Sequence, residues 1–69
     1  MMTATKDKLK VLRTKADLTQ EELAKRAGLS AKSIGLYESN VENLRKSNYQ
    51  TLEKLAKALG VSVDDIFLG

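Results

Sequence analysis

Ser30, Lys32 and Ser33 are hydrogen-bond donors set close together on what reads as one short helix, and Ala31 and Leu36 fill the same face with small and apolar surface. Such a face can do a defined kind of chemistry. A lysine ammonium donates to a phosphate oxygen or to guanine O6 or N7, and a hydroxyl to a base edge or a phosphate. Alanine and leucine can only meet an apolar group such as a thymine methyl. This is recognition, not bond making. The 69 residues contain no histidine, which removes the commonest general base and metal ligand, and no cysteine, which removes thiolate metal sites and disulfides. The adjacent carboxylates Asp64 and Asp65 suit a helix N-terminus, and no glycine loop is built to cradle a phosphate. No enzyme activity, metal or cofactor is expected.

The elements around that face must hold it out. Thr19 followed by Glu22 is a capping box, in which the Thr hydroxyl accepts from the N–H of Glu22 and the Glu22 carboxylate from the N–H of Thr19. Leu23, Ala24 and Ala27 then share one helical face. Gly28 supplies the left-handed residue that ends the helix, Leu29 follows as an apolar plug, and Ser30 is the next N-cap. Ile34 and Tyr37, one turn apart, face inward, which leaves Ala31, Lys32, Ser33 and Leu36 outside. Ala24, Ala27 and Gly28 let the two helices approach closely across so short a turn. A helix held out in this way fits a DNA major groove. An ordinary αα-hairpin with a polar outer face has the same spacing. Gly35 lets the helix lie close to a groove, yet weakens it by about 1 kcal/mol relative to alanine.

The order of motifs carries more than the spacing. Leu-Thr-Gln-Glu-Glu-Leu-Ala-x-x-Ala-Gly-Leu-Ser-x-x-Ser-Ile-x-x-Tyr-Glu, from Leu18 to Glu38, resembles the helix-turn-helix core of the Cro/CI (XRE-type) family of phage and bacterial regulators. The likeness extends over Leu9–Arg13 and resumes over Thr51–Phe67, so it spans about 9–67 with the helix-turn-helix at about 19–39. It breaks at Val41–Asn48, a loop longer than the common version and without its proline. The resemblance implies a compact, all-α, five-helix lambda-repressor-like domain. It would bind double-stranded DNA with its third helix in the major groove, as a sequence-specific transcriptional regulator of repressor type from a phage, a mobile element or a bacterium. It assigns Gln20 a phosphate contact that also braces the reading helix. Ser30, Ala31, Lys32, Ser33, Leu36 and Asn40 belong to the DNA-binding face, and Arg45 and Lys46 are cations on the DNA backbone. Ala31 and Leu36 stand where relatives often carry glutamine, arginine or lysine, so low specificity or shape-dependent readout is expected. Relatives usually bind as dimers. A homodimer through the last helix would use Val61, Ile66, Phe67 and Leu68. The competing reading is an interaction module, antitoxin-like or adaptor, that keeps the fold without specific DNA binding.

Composition agrees with a small helical protein. Hydrophobic residues make up 42% and proline is absent, so the core must come from packing alone. Net charge is +3, with ten Lys/Arg against six Asp/Glu in residues 1–46 and two against three in 47–69. The basic excess therefore lies with the hairpin, weak evidence for a nucleic-acid partner. No apolar run approaches the roughly 20 residues of a membrane span, and the N-terminus lacks the apolar core of a signal peptide. A cytoplasmic location is expected, with no membrane and no small-molecule ligand. One domain over 1–69 is expected.

In chain order, residues 1–5 read as a disordered tip. Leu9, Leu12 and Ala16 mark a first amphipathic helix of roughly three turns. Arg13 lies on its inner stripe, where an unpaired charge is costly; the family pairs it with Glu38, and the opposite signs agree. Ser39 and Asn40 end the third helix, with Asn40 expected in the left-handed conformation. Leu44 reads as an anchor within the 41–48 loop. Asn48, or Ser47 with Gln50, caps a fourth helix whose inner stripe is Tyr49, Leu52, Leu55, Ala56 and Leu59. Gly60 ends it. Ser62 with Asp65 caps a last short helix, whose Val63, Ile66 and Phe67 close the core.

Overall fold

The computed structural model describes residues 6–69, so the tip expected at 1–5 lies outside the described residues. Five α-helices follow one another: α1 Leu9–Lys15, α2 Gln20–Ala27, α3 Ala31–Ser39, α4 Val41–Arg45 and α5 Tyr49–Leu59. A single 3-10 turn, Val63–Asp65, closes the chain. Among the described residues there is no strand; one isolated bridge pairs Asp7 with Ile66.

Most helix ends have a local cause. At α2 the Thr19 hydroxyl accepts from the N–H of Glu22 at 3.0 Å and the Glu22 carboxylate from that of Thr19 at 2.8 Å. These bonds hold the exposed Glu22 carboxyl below its ordinary range. Gly28 takes φ 71°, ψ 32°, and the Leu29 N–H returns to the Ala24 carbonyl at 2.8 Å, a closure that requires the left-handed residue. Asp17 plays the same part after α1 without being glycine, at φ 61°. Aspartate is one of the few L-residues that visits this region readily.

The core draws on every segment. Leu9 and Leu12 of α1, Leu18 in the turn before α2, Leu23, Ala24 and Ala27 of α2, Ile34 of α3, Leu44 of α4, Leu52, Leu55 and Ala56 of α5, and Ile66 beyond the 3-10 turn are buried together. Ala24 and Ala27 are the small residues over which α2 meets its neighbours. No side chain among the described residues buries an unsatisfied polar atom.

Five expectations change. The first helix is two turns, not three, because residue 7 is extended: the Asp7 N–H donates to the Asp65 carbonyl and the Phe67 N–H to the Asp7 carbonyl at 2.8 Å. The segment read as a loop contains α4. Asn40 is extended (φ −148°, ψ 113°), not left-handed, since it ends α3 and caps α4 at once. The last helix is only a 3-10 turn, held by the Asp65 carboxylate accepting from the Ser62 N–H at 3.0 Å, and Phe67 is half-buried beyond it. Tyr49 is not inner but 62% exposed, because the stripe of α5 runs off the core at its first turn. The cap of that helix is Asn48, whose side chain accepts from the Thr51 N–H at 2.9 Å; the Ser47 hydroxyl instead donates to the Leu44 carbonyl.

Candidate nucleic-acid interface

The hairpin of α2 and α3 presents one face of α3 outward. Ile34 is fully buried and Tyr37 half-buried on the inner side. Lys32 is exposed, Ala31 and Ser33 are half-exposed, and Leu36 is 49% exposed on the outer side. Ser30 spends its hydroxyl locally: the oxygen accepts from the Ser33 N–H at 3.1 Å, and the O–H donates to Ser33 Oγ at 2.9 Å. The Ser33 proton therefore remains able to donate outward. Among the described residues Lys32 makes no ion pair. An added Cβ at Gly35 would meet nothing within 4 Å, so no packing against the protein requires glycine there.

The far end of α3 is clamped. Glu38, next to last in the helix, has its carboxylate where the helix dipole disfavours negative charge. Arg13 answers it through both Nε and Nη2, the latter at 3.2 Å, and also donates to the Leu18 carbonyl at 2.7 Å. The side chains retain 14% and 5% exposure. Gln20, at the first position of α2, donates its amide to the same carboxylate at 3.0 Å. An amide nitrogen carries two protons, so Gln20 keeps one for a further acceptor beside the N-terminus of α2. Burial pushes the Glu38 carboxyl up. The hydrogen bonds from Arg13 and Gln20, with the charges of Arg13 and Lys10, outweigh it and leave the group below its ordinary value. The hydrogen bond that Arg13 donates to Glu38 raises Arg13 in turn.

The other anticipated residues are placed differently. Asn40 turns its side-chain oxygen to the Glu42 N–H at 2.9 Å, as the cap of α4. Arg45 donates to the Leu68 carbonyl at 3.1 Å and lies 3.5 Å from Glu42, so its guanidinium ties α4 to the chain's end. Lys46 is exposed just after α4. Ile66, counted as apolar surface for a partner, is 1% exposed and belongs to the core; Val61, Phe67 and Leu68 are half-buried. Asn43 was not anticipated. Its amide donates to the Leu36 carbonyl at 3.1 Å, which also accepts from the Asn40 N–H and the Ser39 hydroxyl. The signal was present in Asn40 followed by Glu42, a cap and an acidic first turn.

Comparison with known proteins agrees with this geometry. A family model described as helix-turn-helix matches residues 9–66. The chain is 38% identical over 63 residues to an uncharacterised HTH-type transcriptional regulator of Methanocaldococcus jannaschii, a match that covers 91% of each. No solved structure matches the chain. A capped α2, a left-handed glycine turn and an α3 clamped through Arg13, Glu38 and Gln20, within a family match over most of the chain, place this protein in the helix-turn-helix family of Cro/CI (XRE) type.

Proposed function

We propose that the chain is a double-stranded-DNA-binding transcriptional regulator, a repressor, that lays α3 in the major groove. The observation that carries this is an exposed outer face on a helix fixed at both ends, by the Ser30 cap and by the Arg13–Glu38–Gln20 clamp. Lys32 reads a base edge and Ser33 a base or phosphate. Ala31 and Leu36 meet apolar groups, and Gln20 and the α2 N-terminus hold a phosphate. Lys46 adds a backbone contact; Arg45 joins it only by releasing Leu68, and Asn40 serves through its cap. Residues 19–39 form the reading unit of one domain. A homodimer through the C-terminal segment rests on Val61, Phe67 and Leu68. No helix among the described residues is long and apolar enough to cross a membrane.

The test is a fluorescence titration of labelled genomic duplex fragments at two salt concentrations, wild type beside Lys32→Ala. The expected result is binding to a preferred fragment that weakens steeply with salt, and a loss of about 1–3 kcal/mol of discrimination in the variant. Weak, uniform binding indifferent to Lys32 would favour the interaction module. One observation speaks for that second reading: apart from Lys32 the outer face has no long donor, and Leu36 is half exposed.

Gly35→Ala tests how closely α3 approaches the groove. With open space around the new methyl, α3 should gain about 1 kcal/mol of helix stability and the melting temperature about 4–8 °C. If α3 enters the groove at this residue, the same variant binds its fragment more weakly. A stability gain with unchanged DNA binding removes Gly35 from the contact.

A further inference from the structure

A groove of about 370 Å³ lies on another part of the surface, between the start of α1, the end of α3, α4 and the tail. Leu9 and Leu44 form its buried floor; Val11, Tyr37, Val41 and Phe67 line its sides. Val11 is one of the few large hydrophobic side chains left exposed, at 39%. Its volume is at the low end of ligand pockets, about 300–1,000 Å³, enough for a few anchoring side chains. Two cations and one carboxylate stand at the rim, with Lys10 near enough to Glu38 for its charge to stabilise it. Lys8 and Lys10 are both exposed, while Glu38 is already satisfied by Arg13 and Gln20.

An apolar floor with a net basic rim selects its occupant. A basic or neutral peptide gains nothing from the lysines. A small apolar molecule leaves them idle. We infer that this groove docks an acidic amphipathic helix of a partner protein, whose apolar side chains at i, i+3 and i+7 enter between Val11, Val41 and Phe67 while its carboxylates meet Lys8 and Lys10. The groove wall is Tyr37–Ser39, the end of α3 that the clamp holds. A docked helix therefore lies against the device that fixes the outer face of α3. The docking itself does not depend on the DNA reading and is measured separately.

The probe is a synthetic helical peptide with leucine at the spaced positions and glutamate elsewhere, beside a peptide with lysine in place of every glutamate. Amide chemical shifts of the full chain are followed during titration, for wild type, Val11→Glu and Lys8→Glu. Both substitutions lie at exposed positions, and glutamate at residue 8 suits the N-terminus of α1. The expected result is that the acidic peptide shifts residues 8–11, 37–39 and 41, that its affinity falls at least tenfold in each variant, and that the lysine peptide leaves these amides unmoved. Equal response to both peptides, shifts elsewhere only, or undiminished binding by Val11→Glu and Lys8→Glu would overturn the proposal. So would shifts of the same amides with protein concentration alone, which would assign the groove to a second copy. A tenfold rise in peptide affinity on deleting residues 1–5 would assign it to the chain's own N-terminal segment and overturn it equally.

Discussion

Glu38→Ala is expected to lower the unfolding free energy by about 3 kcal/mol, the low end of the about 3–5 kcal/mol lost when one member of a buried ion pair is removed. The low end applies because Arg13 retains 14% exposure and can recover some water. That loss is large for this protein: at about 0.05–0.15 kcal/mol per residue, 69 residues give a total of about 3–10 kcal/mol. Arg13→Ala should cost at least as much. It leaves Glu38, only 5% exposed, with Gln20 as its remaining donor, and it takes the guanidinium away from the Leu18 carbonyl. The double variant Arg13→Met/Glu38→Leu should cost less than either single one, because it strands no charge and keeps the volume filled. Urea denaturation of the wild type, Arg13→Met, Glu38→Leu and the double variant, followed by circular dichroism, closes the cycle and gives the coupling directly. Single losses that simply add would show that the pair is no unit.

The same pair sets a pH dependence. The Glu38 carboxyl is lower in the folded chain than in the unfolded one, so its contribution is complete above the ordinary carboxylate range, near about 4.3. It is lost as pH falls from there through the lowered folded value. Glu22 has the same sign and adds to the same window in the wild type. The comparison with Glu38→Gln isolates the pair: the gap in stability should be widest near neutrality and close as pH drops through that window. A gap that stays constant would mean that the carboxylate charge contributes nothing.

The parts of this fold that could be read in the sequence are those specified by neighbours a few residues away. Thr19 with Glu22, Gly28, Ser30 and Gly60 lie within one turn of the groups they satisfy, so residue type and spacing define them. The paired charges of Arg13 and Glu38 are 25 residues apart, and there the family resemblance supplied the partner. What escaped was set by packing between segments. Tyr49 is one turn from Leu52 and fits the stripe of α5 by periodicity, but its exposure depends on where the facing core stops. Asn40 has the composition of a left-handed cap. It is extended because α4 begins at the next residue, and α4 is too short to announce itself by periodicity. In the candidate site, the outer face of α3 was legible residue by residue. The commitment of Arg45 to the Leu68 carbonyl was not, since a backbone acceptor at the chain's end has no sequence signature.

Leu44→Ala is expected to cost about 3 kcal/mol, within the about 2–5 kcal/mol range for such truncations, and to act first on α4. A five-residue helix has no stability of its own, since nucleation alone exceeds what so few hydrogen bonds return. Leu44, 1% exposed, is its one buried side chain. The polar ties are the Asn40 cap, Asn43 on the Leu36 carbonyl and Arg45 on the Leu68 carbonyl, all exposed. Exposed hydrogen bonds contribute about 1 kcal/mol each at most, because water replaces them. Packing of Leu44 must therefore hold α4, and Asn43→Ala should cost about 1 kcal/mol or less. Hydrogen exchange distinguishes the two mechanisms. In Leu44→Ala, protection should fall first at the amides of Lys46 and Ser47, which donate to the Glu42 and Leu44 carbonyls, and at Asn40, which donates to Leu36. The amides of Leu23 and Leu55 should lose protection only with the whole fold. Uniform loss across all of them would instead make α4 part of the same cooperative unit as α2 and α5. In either case the end of α3 that carries Glu38 loses its neighbour when α4 departs, so the clamp on α3 depends on a leucine six residues further along the chain.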